Sequence, residues 1–173
     1  VDLTSGATQR ITSTPGVHQA TASGPVEVIS SATPDLPVPV VRVLVDGQER
    51  AAIASKADPA VITARPTFLR LSAGELSAAL FVPDGHDGTS TLPVLLDPYG
   101  GPHAQRVLKN HSSHLTSQWF ADQGFAVLVV DNRGTPGRGP AFERAVWGDL
   151  ATPVLDDQLA ALDAAAQKEA AHG

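Results

Sequence analysis

The feature that most constrains this chain is the apolar run Leu92-Pro93-Val94-Leu95-Leu96-Asp97, followed at once by Pro98-Tyr99-Gly100-Gly101-Pro102. A short, uninterrupted apolar run reads as a strand buried on both faces, and the Pro and Gly cluster behind it as a sharp exit loop. Strands of that kind belong to sheets covered by helices on either side. In such open α/β sheets ligands sit in the crevice outside the carboxyl ends of the strands, so Tyr99, the chain's single tyrosine, is the first candidate working residue.

Composition narrows the alternatives. The 173 residues suffice for one ordinary domain with a real core and not for two large ones. Eighteen acidic against 12 basic residues give a net charge of −6, with no Lys/Arg cluster, so nucleic acid is not an expected partner. The absence of cysteine excludes disulfides and thiolate metal sites. The start, Val1 to Arg10, has neither a basic segment nor an apolar h-region, so no signal peptide is read; the compartment stays open, with a slight lean to the cytoplasm. The longest apolar run, Phe125 to Val130, is far short of the ~20 residues a membrane-spanning helix needs.

Two textures follow one another along the chain. Up to about Ala60, the β-branched runs Val26–Ile29 and Val38–Val45, the second closed by Asp46-Gly47, predict antiparallel strands. They form one sheet of an all-β unit with too few strands to stand alone. Ala51 to Ala64 shows no clear period and reads as a crossover into the second texture. There, Phe68–Leu71 and Leu76–Val82 predict a hairpin turning at Ser72–Glu75. A helix is expected around Leu115–Gln123, stopped by Gly124, then a strand Phe125–Val130. A last helix, about Val154–Ala171, carries Leu155, Leu159 and Leu162 at helical spacing. The alternation of strand and helix predicts a parallel sheet with helices on its faces.

Several candidate sites have plainer readings. Asp131 to Gly139 is a Gly-rich turn after a buried strand, but it contains neither G-x-G-x-x-G nor G-K-[ST], and Pro136 removes a backbone donor, so a structural turn is expected rather than a nucleotide cradle. His111 and His114, three apart, lack a third ligand and read as solvated; no metal and no cofactor are expected. Asp156-Asp157 reads as acidic residues favoured by the dipole at a helix start. Trp119 and Phe120 read as the buried face of their helix. Tyr99 differs, because in α/β-hydrolases the loop after the third strand donates to the oxyanion hole.

Asp97-Pro98-Tyr99-Gly100-Gly101-Pro102-His103-Ala104-Gln105-Arg106-Val107, Gln118-Trp119-Phe120-Ala121, Gly124-Phe125-Ala126-Val127, Asp131 to Gly139 and Asp156-Asp157-Gln158, in this order, resemble the prolyl oligopeptidase family of serine peptidases, and most closely its dipeptidyl peptidase IV branch. Pro15-Gly16-Val17-His18 resembles a motif near the end of that family's β-propeller. The resemblance implies an α/β architecture: the first half of an α/β-hydrolase sheet over residues 61–173, preceded by the last strands of a propeller over 1–60. It implies peptide substrates cut after proline or a small residue and Tyr99 as the oxyanion-hole tyrosine; the oligomeric state of the full-length protein stays open, a homodimer among the options. Asp131, Arg133 and Asp157 match positions read as structural, a strand-end turn and a helix start. The catalytic Ser, Asp and His are expected beyond the chain, since neither G-x-S-x-G nor S-x-x-K occurs in it. A catalytically inactive piece of poor stability is the resulting expectation. An acylaminoacyl peptidase or esterase of the same superfamily, or a non-catalytic interaction module, are the alternatives.

Overall fold

The computed structural model describes residues 4–71 and 76–170, which divide into two compact units, Val1–Pro59 with Lys109–His111 and Ala60–Leu108 with Ser112–Gly173.

The first unit is a four-stranded antiparallel meander in the order β1 (Val17–Ser23), β2 (Val26–Ala32), β3 (Val40–Val45), β4 (Gln48–Ile53). Its tight turns are written in local chemistry. Asp46 and Gly47 join β3 to β4 with φ of 52° and 72°, the pair of positive angles that a type I′ hairpin requires. Gly24, φ 56°, starts the turn between β1 and β2. Gly16 lies so close to β2 that a Cβ would stand 2.7 Å from the Ala32 carbonyl oxygen. The His18 ring ties the segment before β1 to β2. Its Nε2 donates to the Thr14 carbonyl at 3.0 Å, which leaves Nδ1 to accept the Ser31 hydroxyl at 2.9 Å. Two strands exceed the sequence reading. The polar β1 carries no apolar alternation, and β4 occupies the beginning of the segment taken as a crossover, because the Asp46-Gly47 turn extends β3 into a hairpin.

The second unit is a mixed sheet in the order β5 (Thr67–Leu71), β6 (Leu76–Phe81), β8 (Ala126–Asp131), β7 (Val94–Leu96). β5 and β6 pair antiparallel as the expected hairpin, and among the described strands β7 and β8 alone run parallel; the antiparallel pairing of β6 with β8 makes the sheet mixed, where the strand and helix alternation predicts a parallel one. The turn expected at Ser72–Glu75 lies outside the described residues. Between β7 and β8 the chain crosses over through a 3-10 turn, Ser112–His114, and helix α1 (Leu115–Ala121), which ends as Gly124 takes φ 101°. The short α2 (Pro140–Arg144), with Pro at its start, and α3 (Thr152–Ala170) complete the unit.

β8 is the centre of this core. Leu128 and Val130 join Leu69, Leu71, Leu76 and Ala78 against Ala161 and Ala165 of α3. Val127 and Val129, on the opposite face, pack with Ala79, Phe81 and Ala121 of α1. A strand covered on both faces needs apolar residues without alternation, and Val127–Val130 provides them. Complete burial of Phe81 alone contributes about 1.5–3 kcal/mol.

Three expectations fail here, the two on helices for a common reason: small or polar residues occupy the tight contacts, and large apolar ones lie outside. α1 buries Ser117, Gln118 and Ala121, whereas Trp119 and Phe120 are 47% and 38% exposed, stacked edge to face at 4.9 Å. α3 presents Asp157, Gln158, Ala161 and Ala165 to the core with Leu162 beside them, while Leu155 and Leu159 are exposed. β7 is shorter than the run Leu92–Asp97 and borders the described sheet, so Val94 is half exposed rather than buried on both faces.

Candidate active site

The parallel strands β7 and β8 end on adjacent aspartates, Asp97 just past β7 and Asp131 as the last residue of β8. Asp97 continues the ladder, its N–H donating to the Leu128 carbonyl at 3.0 Å. Its carboxylate Oδ2 accepts from Arg106 Nη2 at 2.8 Å and from the Ser117 hydroxyl of α1 at 2.9 Å. Asp131 Oδ1 accepts the backbone N–H of Arg106 at 2.7 Å and of Val107 at 3.3 Å. Burial pushes the Asp131 carboxyl above its ordinary value, although both of those N–H groups and the nearby Arg106 charge pull it down.

Tyr99 rides on the loop between these anchors. Gly100, φ 72°, turns the chain behind it, and a Cβ on Gly101 would approach the Tyr99 ring to 2.9 Å, so the ring lies over glycine backbone. Tyr99 is 44% exposed. The arrangement presents one phenolic donor to solvent at the carboxyl end of a parallel strand pair. It presents no activated nucleophile: Ser117, the hydroxyl in this network, is buried and donates to a carboxylate.

The neighbouring strand-end turn is built as a support. Arg133 donates its backbone N–H and Nε to the Asp157 carboxylate, at 2.7 and 2.9 Å, with Nη2 completing the ion pair at 2.8 Å. Asp157 therefore ties the turn after β8 to α3 rather than serving that helix's first turn; the start of α3 is capped by Asp149, which accepts from the Ala151 and Thr152 N–H groups. Gln158 donates to Asn132 Oδ1 at 3.0 Å beneath the same turn. Gly137, φ 87°, leaves room for Gln105, whose amide a Cβ there would meet at 3.2 Å, so the two strand-end loops touch.

His111 and His114 are both buried, which overturns their reading as solvated residues. His114 is 1% exposed, packed with Phe68 and Phe81 at 5.9 and 5.2 Å, and its Nε2–H donates to the Leu108 carbonyl at 2.6 Å. Burial pulls its pKa below the ordinary value. Among the described residues no group of three or more His, Cys, Asp or Glu could hold a metal ion, and no helix is long and apolar enough to cross a membrane. Asp97 and Arg106 carried no role in the sequence reading. The signal that marks them is a pair of opposite charges bracketing a Pro- and Gly-rich loop.

Residues 110–172, covering α1, β8, α2 and α3, match the prolyl oligopeptidase family. A probable dipeptidyl-aminopeptidase B of Grosmannia clavigera is 31% identical over 160 residues, spanning 88% of this chain. The crystal structure of Porphyromonas gingivalis dipeptidyl peptidase 4 superposes with a TM-score of 0.77 at 25% identity over 94% of the chain. This chain belongs to the prolyl oligopeptidase family. Within the family its likeness is to dipeptidyl peptidase IV-type proteins, and in these two it extends over most of the chain, well past the segment that the family model matches. An acylamino-acid-releasing enzyme 2 of Oryza sativa is 37% identical over 75 residues. The chain spans 16% of the Grosmannia protein, 9% of the rice protein and 24% of the Porphyromonas chain.

Proposed function

We propose that this chain forms part of a serine peptidase of the dipeptidyl peptidase type and supplies Tyr99 to its oxyanion hole. The observation that carries the reading is the exposed phenol on a doubly anchored loop at the carboxyl end of β7, where an α/β-hydrolase assembles its oxyanion donors. In this reading residues 61–173 are the first half of the hydrolase sheet, and residues 1–60, with their four-stranded meander, are the last part of a propeller.

Acyl transfer needs a nucleophile that these 173 residues do not carry, since no G-x-S-x-G occurs in them. A serine hydroxyl from outside the sequence attacks the scissile carbonyl carbon, its proton passing to a histidine. The carbonyl oxygen takes up the negative charge, and the Tyr99 O–H donates to it. Collapse expels the amine, protonated by the same histidine, and leaves an acyl-serine that water cleaves by the reverse sequence. Tyr99 acts only on charge that develops in the transition state, so it contributes to kcat rather than to substrate affinity. The 173 residues alone are expected to turn over no substrate.

The test is Tyr99→Phe in the protein that joins this segment to a G-x-S-x-G elbow. Hydrolysis of an Xaa-Pro-aminoacyl amide should lose about 10²–10³ in kcat, with KM nearly unchanged. An unaltered kcat would sink the assignment. The rice relative favours a second reading, release of N-acylated amino acids. Faster cleavage of an acetylated aminoacyl amide than of the Xaa-Pro amide would select it.

A further inference from the structure

No strand or helix holds residues 98–105, so the shape of the Tyr99 loop depends on how its two feet are fixed. One residue, Arg106, touches both strand ends. Its guanidinium reaches back across the loop to Asp97 after β7, and its backbone N–H is fixed to Asp131 at the end of β8. Asp97 in turn is fixed from a third direction by the Ser117 hydroxyl of α1, which is 1% exposed. The ion pair is largely covered, 30% and 27% exposed on its two sides, so solvent screens it less than a surface pair. A loop whose ends are drawn together by a charge-assisted bond has few ways to move its middle, and the middle here is Tyr99.

Resting on the oxyanion reading above, we infer that Asp97 and Arg106 form a clasp that positions the Tyr99 phenol, making Arg106 a positioning residue for transition-state stabilisation. The clasp touches no substrate. It sets where the O–H sits, and an error of an ångström there is felt in kcat.

The experiment is a double-mutant cycle in the same complete enzyme, reading kcat and KM separately and monitoring folding by cooperative thermal unfolding. Arg106→Met should lower kcat by about 10- to 100-fold, the cost of misplacing a group by around an ångström, with KM little changed. In the Tyr99→Phe background the same substitution should cost less than about 2-fold, because the group it positions is already gone. Arg106→Lys, which restores a cation to Asp97, should recover part of the loss. If Arg106→Met does not fold, Asp97→Asn, which keeps an acceptor for Ser117, runs the same cycle.

Full additivity of the two losses would overturn the clasp while leaving the Tyr99 assignment standing. A raised KM with unchanged kcat would also overturn it, since Arg106 would then be a substrate contact. If Tyr99→Phe alone leaves kcat intact, the oxyanion reading fails first and takes the clasp with it.

Discussion

Among the described residues the two sheets have the same number of strands, and they have opposite reasons for existing. In the second unit, β8 is buried from Val127 to Asp131, and each face has its own cluster, with α3 on one side and α1 on the other. In the first unit, β4 is exposed at every residue and β1 at all but its first two, and within β2 Ile29 and Ser31 are the buried positions. One sheet is held by apolar burial and the other by turn chemistry and cross-strand pairing. The lesson concerns tolerance: where burial specifies a strand its side chains are fixed, and where turns specify it most side chains are free.

The largest test of that contrast is Phe81→Ala. The ring is completely buried between β8 and α1, and its removal should cost about 3–5 kcal/mol, read as a fall in the denaturant midpoint of the second unit. A cost below about 1 kcal/mol would mean that this face is loosely packed.

Gly134→Ala should be nearly as harmful although it removes nothing. Gly134 has φ 96°, and a Cβ would meet Val146 Cγ2 at 2.8 Å. Backbone strain and overpacking each cost about 1–3 kcal/mol. Gly47→Ala in the first unit meets strain but no neighbour within 4 Å, so only the first of those costs applies. Equal losses at the two glycines would erase the distinction between a packed turn and an open one.

A smaller effect should appear as a pH dependence confined to the second unit. The pKa of His114 is lowered from 6.5 by burial between Phe68 and Phe81. Arg106 pulls it the same way, whereas the Leu108 carbonyl, Asp131 and Asp97 raise it. The folded state therefore holds fewer protons than the unfolded one, and stability falls as pH drops through 6.5 towards the depressed folded value. Asp131, with its pKa raised, acts in the opposite sense at lower pH. In His114→Gln the slope of melting temperature against pH between neutrality and the His114 transition should flatten; an unchanged slope would mean that the ring titrates freely.

The same contrast explains what the sequence disclosed. β8 and the β5–β6 hairpin were legible because continuous or paired apolar runs leave few other solutions, and α1 was legible because Gly124 ends it. β1 was not, since Val17–Ser23 is mostly polar and is held by register with β2 and by the His18 bridges. The buried sides of α1 and α3 were misread because close packing selects Ala, Ser and Gln there. Tyr99 stood out through the Pro and Gly around it, whereas Asp97 and Arg106 owe their roles to a meeting that only the loop's shape brings about.

The smallest expected effect lies in the sheet that turns specify. Ile53 ends β4 opposite Val41 and is 57% exposed, so Ile53→Thr keeps a β-branched residue on the strand and loses little burial. Its cost should stay within about 0.5 kcal/mol in denaturant titration of the first unit. The equivalent change at Val129, Val129→Thr, places a hydroxyl in a site 1% exposed and should cost several times more. If Ile53→Thr proves as damaging as Val129→Thr, the outer face of β4 is covered by something these residues do not include, and the first sheet is held by burial after all.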